Sequence, residues 1–242
     1  VKNQDELVVY WANFGSLDRL QRTNLFVEPP IRVMNSFHKE SGNSTNSASY
    51  RACSGAKNLF FNTFVLKSPF DVDAKIIGKY PNVMIEERYQ LVNLRNPTYE
   101  KAHSIDYDFH WIFFCEESVE MVQTPPFAHK TISSDYGIIA SGSYDISKWF
   151  RSINATYNLH QGIDKFKIKK DEPIFYIDFR TKKRVILKQF DLSPDLHKLA
   201  FAASEIKNFF PFETLEVLYD RFLRSKRHKK VLKEIRQNLL DN

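Results

Sequence analysis

IDYDFHWIFFC, residues 105–115, reads two ways at once and decides the fold. At period two, Ile105, Tyr107, Phe109, Trp111, Phe113 and Cys115 share one strand face. Asp106, Asp108, His110, Ile112 and Phe114 share the other. The first face is apolar throughout, so it is expected to be buried, with Trp111 and Phe113 at the centre of a sheet. The second opens with two carboxylates and an imidazole. That trio suits a catalytic or metal site and equally a wetted sheet surface, and no other segment decides between them.

Working outward, the composition fits a sheet protein. Aromatic residues make up 14% of the chain, with 21 Phe and 11 Tyr against only 7 Gly to interrupt them. Aromatic and β-branched side chains favour half-buried pleated surfaces. At 242 residues the chain suits one large domain, or one domain with an appendage. The formal charge of +6 and sequence pI of about 9.1 favour an anionic partner, be it nucleic acid, lipid or an acidic protein. Cys53 and Cys115 are too few for a four-thiolate zinc site or a disulfide framework and are expected as free thiols. No apolar run approaches the roughly 20 residues that span a bilayer. The opening VKNQDELVVYWANF lacks the apolar core of a secretory signal, so no membrane partner is expected.

Short extended pieces are predicted near 7–11, 31–33, 59–66, 119–123, 136–140 and 143–146, with 83–94 ambiguous between helix and strand. Asn35 to Asn58 is rich in Ser, Asn and Gly and reads as a long surface loop, mobile or ordered by a partner and the first target of a protease. PIFYIDF, RTKK and RVILKQF, over 173–190, read as a hairpin with a charged tip. The character changes at Ser193-Pro194, where serine is a good N-cap and proline a good first helical residue. One helix is predicted from there to Pro211 and a second from about Phe212 to Leu240. On the second, Leu215, Leu218, Tyr219 and Phe222 form a stripe expected to pack on the body. The later stripe, Val231, Leu232, Ile235 and Leu239, is expected to project beyond it.

Three groups of residues are candidates for chemistry or binding. The first resembles the cupins, jelly-roll proteins whose two motifs bring histidines and a glutamate onto a metal. Asp108-x-His110, Glu116 and Pro126-x-x-His129 follow that order here, with Asp108 where the cupin pair has its first histidine and without the motif glycines. The resemblance implies an oxygenase-like enzyme holding Fe(II) or another divalent transition metal through Asp108, His110, Glu116 and His129. The competing reading is a solvated sheet face and no cofactor. The second group is the basic run Arg224, Lys226, Arg227, Lys229 and Lys230, which suits phosphates or an acidic protein. The third is Trp149 with Arg151, residue types common as interface anchors, which line a groove or else cap a core. No Walker A loop, G-x-G-x-x-G, G-x-S-x-G or H-E-x-x-H occurs.

Three segments, NTFVLKSPFDVD (62–73), GSYDISKWFR (142–151) and DEPIFYIDFRT (171–181), resemble uncharacterised proteins of marine T4-like tailed phages. The resemblance implies a phage source, with the protein in the host cytoplasm or the virion, and supplies no catalytic residues. The sequence therefore reads as an α+β protein. A mainly antiparallel β-sandwich or jelly-roll-like body covers 1–190, and two amphipathic, basic helices cover 191–242. The leading expectation for function is a non-catalytic phage protein that binds a protein partner or itself through its loops, Trp149, Arg151 and the C-terminal helix. The metal enzyme and a nucleic-acid-binding accessory protein are the alternatives.

Overall fold

The alternation in 105–115 builds the longest strand among the described residues, and the other layers are arranged around it. The computed structural model describes residues 6–14, 27–40, 53–78, 84–87, 91–99 and 102–240. In chain order these form β1 (Glu6–Phe14), β2 (Ile31–Arg32), α1 (Val33–Glu40), α2 (Ser54–Leu59), β3 (Thr63–Lys67), β4 (Val72–Ile77) and β5 (Met84–Glu86). Next come β6 (Val92–Tyr99), β7 (Ala102–Cys115), β8 (Glu120–Thr124), β9 (Gly137–Ile139), β10 (Gly142–Asp145), β11 (Ser152–Leu159) and β12 (Lys165–Ile168). The chain ends with β13 (Pro173–Phe179), β14 (Arg184–Gln189), α3 (Pro194–Phe209), α4 (Leu215–Arg224) and α5 (Arg227–Gln237).

The fold is an α+β sandwich of mostly antiparallel sheets. The first sheet has the order β14-β1-β7-β11-β9, with β6 also on β7; the second is β10-β8-β13-β3-β2; a third, β12-β4-β5, is smaller. Only β1 with β14 is parallel among the described pairs. All six odd-numbered side chains of 105–115 are buried in one core. There Trp111 meets Phe175 edge-on at 5.4 Å and Phe113 meets Phe179 at 6.1 Å, across the gap between the two large sheets. Edge-to-face pairs of this kind add to the area they bury. The small sheet contributes Val72, Ala74, Phe166 and Ile168 to the same core.

Each large sheet also carries helices on its outer face. Val33, Phe60, Val65 and Tyr176, with Met34 and Phe37 against them, seal α1 and α2 onto the second sheet. Tyr10, Ala12, Phe14, Ile112 and Phe114 meet Leu196, Ala200, Val231, Leu232 and Ile235 outside the first. The switch at Ile112 from polar to apolar on the even face of β7 therefore marks where the helical cover begins.

Several expectations need correction. Residues 173–190 form no hairpin: β13 lies between β8 and β3 in the second sheet, and β14 pairs with β1 in the first. Both edges of β13 are already occupied, so the chain crosses between sheets. Asn62 clips that crossing. Its Nδ2 donates to the carbonyls of Thr181 and Lys183 at 3.0 and 2.8 Å, and its Oδ1 accepts from Val185 N at 3.0 Å. Arg32 adds bonds to the carbonyls of Phe61 and Val185, both at 2.6 Å.

The Ser/Asn-rich stretch is partly helical, at α1 and α2; its residues 41–52 lie outside the described residues. The ambiguous 83–94 is extended in both described parts, β5 and the start of β6. At the C-terminus three helices replace two. Ser193 caps α3 by accepting from Leu196 N, as its sequence predicts. Past Pro211, however, the helix breaks again at Ser225-Lys226, where Lys226 takes a left-handed conformation at φ 55°. That turn redirects the chain and brings the later stripe back onto the sheet. Val231 and Ile235 are 0% exposed and Leu232 6%. Leu239, partly buried against the same cluster, bridges to Phe190. These four residues do not project, and they are core rather than partner surface. On α4, Leu218 is buried but Leu215 and Val217 are exposed.

Candidate functional site

The predicted metal ligands are not brought together. Asp108 and His110 lie on the outer face of the first sheet, whereas His129 sits on the outer face of the second, against Phe37 and Tyr176. The whole aromatic core separates them. Ser36 Oγ donates to Val33 O at 2.7 Å and so accepts from His129 Nε2 at 3.0 Å. That leaves His129 Nδ1 to accept from the Tyr176 hydroxyl. With both ring nitrogens engaged inside the protein, His129 pins α1 to the sheet. Glu116 ion-pairs with Arg236 and ties α5 to the end of β7. Asp106 accepts from Arg95 and from Thr156 Oγ1. Burial holds the His110 imidazole below its ordinary value although Asp108 and Asp106 stand near it. It is thus a neutral side chain packed into the sheet face. Among the described residues no three His, Cys, Asp or Glu side chains are grouped to hold a metal ion. The cupin-like arrangement is corrected on this geometry.

Trp149 and Arg151, by contrast, line concave parts of the surface. Residues 146–151 connect β10 to β11 beneath the corner of α3 and α4. Two clefts open on either side of the connection, and both Trp149 and Arg151 line each of them. The first, about 330 Å³, is apolar: Leu199, Ala203, Ile206, Phe210, Leu218 and Phe222 form much of its wall. The second, about 440 Å³, is polar and has Arg95, Gln123, Tyr144, Asn154, Thr156 and Asn158 around it.

An aromatic and cationic stack separates the clefts. The Arg151 guanidinium lies 4.5 Å over the Trp149 ring, which is 5.1 Å from Tyr219 and 5.7 Å from Tyr144. Cation–π contact of this kind strengthens as the pair is desolvated. Burial raises the Tyr144 phenol and pushes that of Tyr219 up to about 12, with Arg151 opposing both shifts. Burial also lowers the Arg151 guanidinium from its usual range. Its Nε and the Trp149 Nε1 are buried without a hydrogen-bond partner. Gly142 positions the stack: a Cβ there would meet the Tyr144 hydroxyl at 2.2 Å.

The helices that wall the apolar cleft and their connection also expose several large apolar side chains. Phe209 is 77% and Phe212 99% exposed, with Phe201, Phe210, Leu215 and Val217 also exposed on α3, α4 and their connection. Apart from Leu215, expected in a packing stripe, local spacing marks none of them, although FFPF at 209–212, three phenylalanines around a helix-breaking proline, is the available signal. The basic run remains exposed. Arg224 pairs with Asp220 at 3.6 Å, Lys226 occupies the left-handed turn, and Arg227, Lys229 and Lys230 face solvent on α5. Cys53 and Cys115 are both free thiols.

Comparison with protein-family models, curated proteins and solved structures found no match to this chain. No helix among the described residues is long and apolar enough to cross a membrane.

Proposed function

We propose that the chain is a non-catalytic, phage-encoded binding protein, acting in the host cytoplasm or the virion, that holds an acidic amphipathic segment of a partner protein at the α3–α4 corner. The observation that carries this reading is the apolar cleft lined by Phe210 and Leu215 together with Arg151, Arg221 and Arg227, with the exposed Phe209 and Phe212 flanking Phe210 in the chain. Exposed apolar surface of this extent is characteristic of interaction sites. A helix laid into such a groove offers apolar anchors at i, i+3, i+4 and i+7 and keeps its charges at the rim.

Charge selects among occupants. A second copy related by a two-fold axis through this corner would bring two copies of the same basic patch together, and like charges at a contact are costly. Acidic residues on a partner meet the rim favourably. Phenylalanines gain more against an apolar helix face than against a phosphate backbone.

A direct test uses a helical peptide of about 15 residues, Leu and Phe on one face and Glu on the other, labelled for anisotropy, beside its Lys counterpart. The Glu peptide is expected to bind saturably and the Lys peptide about tenfold more weakly or worse. The double variant Phe209→Ser/Phe212→Ser is expected to lose about tenfold. Equal binding of both peptides, or no effect of the double variant, refutes the assignment. Competition by a duplex DNA that displaces the Glu peptide with a steep salt dependence favours the nucleic-acid reading instead.

A further inference from the structure

We infer that the polar cleft on the far side of Trp149 is a binding site for a small hydroxylated oxyanion, a carboxylate or phosphate carried on a polyol, with Arg151 as the group that takes the anion. This inference concerns a different cleft from the one proposed for the protein partner, although Arg151 lines both.

Arg151 is the starting point. A half-buried guanidinium has lost part of its hydration and is ordinarily compensated by a carboxylate. Arg95, on the same cleft, has that compensation from Asp106. Arg151 makes no ion pair among the described residues, none of those lining either cleft is Asp or Glu, and the nearby Glu205 on α3 favours its charge less than burial opposes it. It rests on the Trp149 ring, which fixes the plane of its fork while leaving the Nη atoms to a ligand. Its buried Nε has no hydrogen-bond partner.

The remainder of the cleft supplies neutral hydrogen-bonding groups. Asn154, Thr156 and Asn158 project from the same face of β11 at period two, a ladder roughly 6–7 Å from rung to rung. The Asn154 side chain and the Tyr144 hydroxyl make no hydrogen bond with a described residue, so both are placed to meet hydroxyl groups of a ligand. The volume of about 440 Å³ lies within the range of small-molecule sites. A lone chloride or an extended apolar acid would use few of these groups. The Thr156 hydroxyl donates to Asp106 and Asn158 Oδ1 accepts from Ser104, so a polyol acid or polyol phosphate would use chiefly Arg151, Asn154 and Tyr144.

The test titrates the full chain with glucose, inorganic phosphate, gluconate and glucose 6-phosphate by calorimetry. One or both of the last two are expected to bind about tenfold or more tightly than glucose and inorganic phosphate, and which one does so separates carboxylate from phosphate. Arg151→Gln is expected to abolish that preference, with circular dichroism confirming the fold. Asn154→Ala, on β11, is expected to weaken the polyol anions about tenfold and leave inorganic phosphate unchanged. Phe209→Ser/Phe212→Ser, which removes apolar surface at the other cleft, is expected to leave these titrations unaltered. The inference is overturned if neither polyol anion binds, if glucose or inorganic phosphate binds as tightly, or if Arg151→Gln or Asn154→Ala titrates like the parent chain.

Discussion

Removing residues 226–242 is expected to unfold this protein rather than trim it. The segment carries Val231, Leu232 and Ile235, all buried against Tyr10, Ala12, Phe14, Ile112 and Phe114 on the outer face of the first sheet. Fully burying one aliphatic side chain of this size contributes about 1.5–3 kcal/mol, so these three alone contribute about 4.5–9 kcal/mol. Whole domains are stable by about 5–15 kcal/mol. The deletion also removes the bonds from Asp191 N to Asn238 O and from Leu240 N to Gln189 O, and the Glu116–Arg236 pair. A gentler perturbation gives a number. Ile235→Ala should cost about 2–5 kcal/mol through lost transfer energy and the cavity left behind. With a urea m-value of about 2 kcal/mol/M, a loss of about 3 kcal/mol lowers the unfolding midpoint by about 1.5 M. Phe212→Ala serves as the control: at 99% exposure it should change stability by less than about 0.5 kcal/mol. Equal midpoints for Ile235→Ala and Phe212→Ala would refute the docking of α5, as would a 1–225 chain that melts cooperatively at the parent temperature.

Four further outcomes are expected. Phe113→Ala, at 2% exposure between the sheets, should cost about 3–5 kcal/mol in urea unfolding. Asn62→Ala strips three hydrogen bonds from the β13–β14 crossing and leaves buried Val185 N–H unpaired, for a loss of about 2–4 kcal/mol by the same measurement. Lys226→Gly relieves a left-handed residue at a helix C-terminus, where glycine is preferred, and should gain about 0.5–1 kcal/mol, visible as a rise of a few degrees in Tm. The fourth concerns pH. Burial depresses the His110 imidazole in the folded state, so the unfolded chain takes up this proton first and stability falls as pH drops from about 6.5 towards the folded value. His110→Gln should make the fall below about pH 6.5 shallower than in the parent chain, and an unchanged slope would count against a buried neutral imidazole.

Local pattern alone determined the strand at 105–115, its buried face, the aromatic sandwich and the helix capped by Ser193, because each depends on spacing within a few residues. Tertiary structure decided everything that depends on which edges and faces meet. PIFYIDF and RVILKQF look like partners in sequence, yet the edges of β13 are taken by β3 and β8 and β14 finds β1. The stripe Val231, Leu232, Ile235 and Leu239 has the same amphipathic spacing whether it projects or packs. One left-handed residue at Lys226 sends it back onto the sheet, while leaving Phe209 and Phe212 in solvent. Asp108, His110, Glu116 and His129 have a suggestive order along the chain, but a strand pattern does not say on which outer face of a sandwich a residue will stand. Trp149 and Arg151 were legible as residue types suited to an interface. That they separate an apolar cleft from a polar one follows only from the packing of α3 and α4 over their loop, contacts between segments far apart in sequence that no local spacing records.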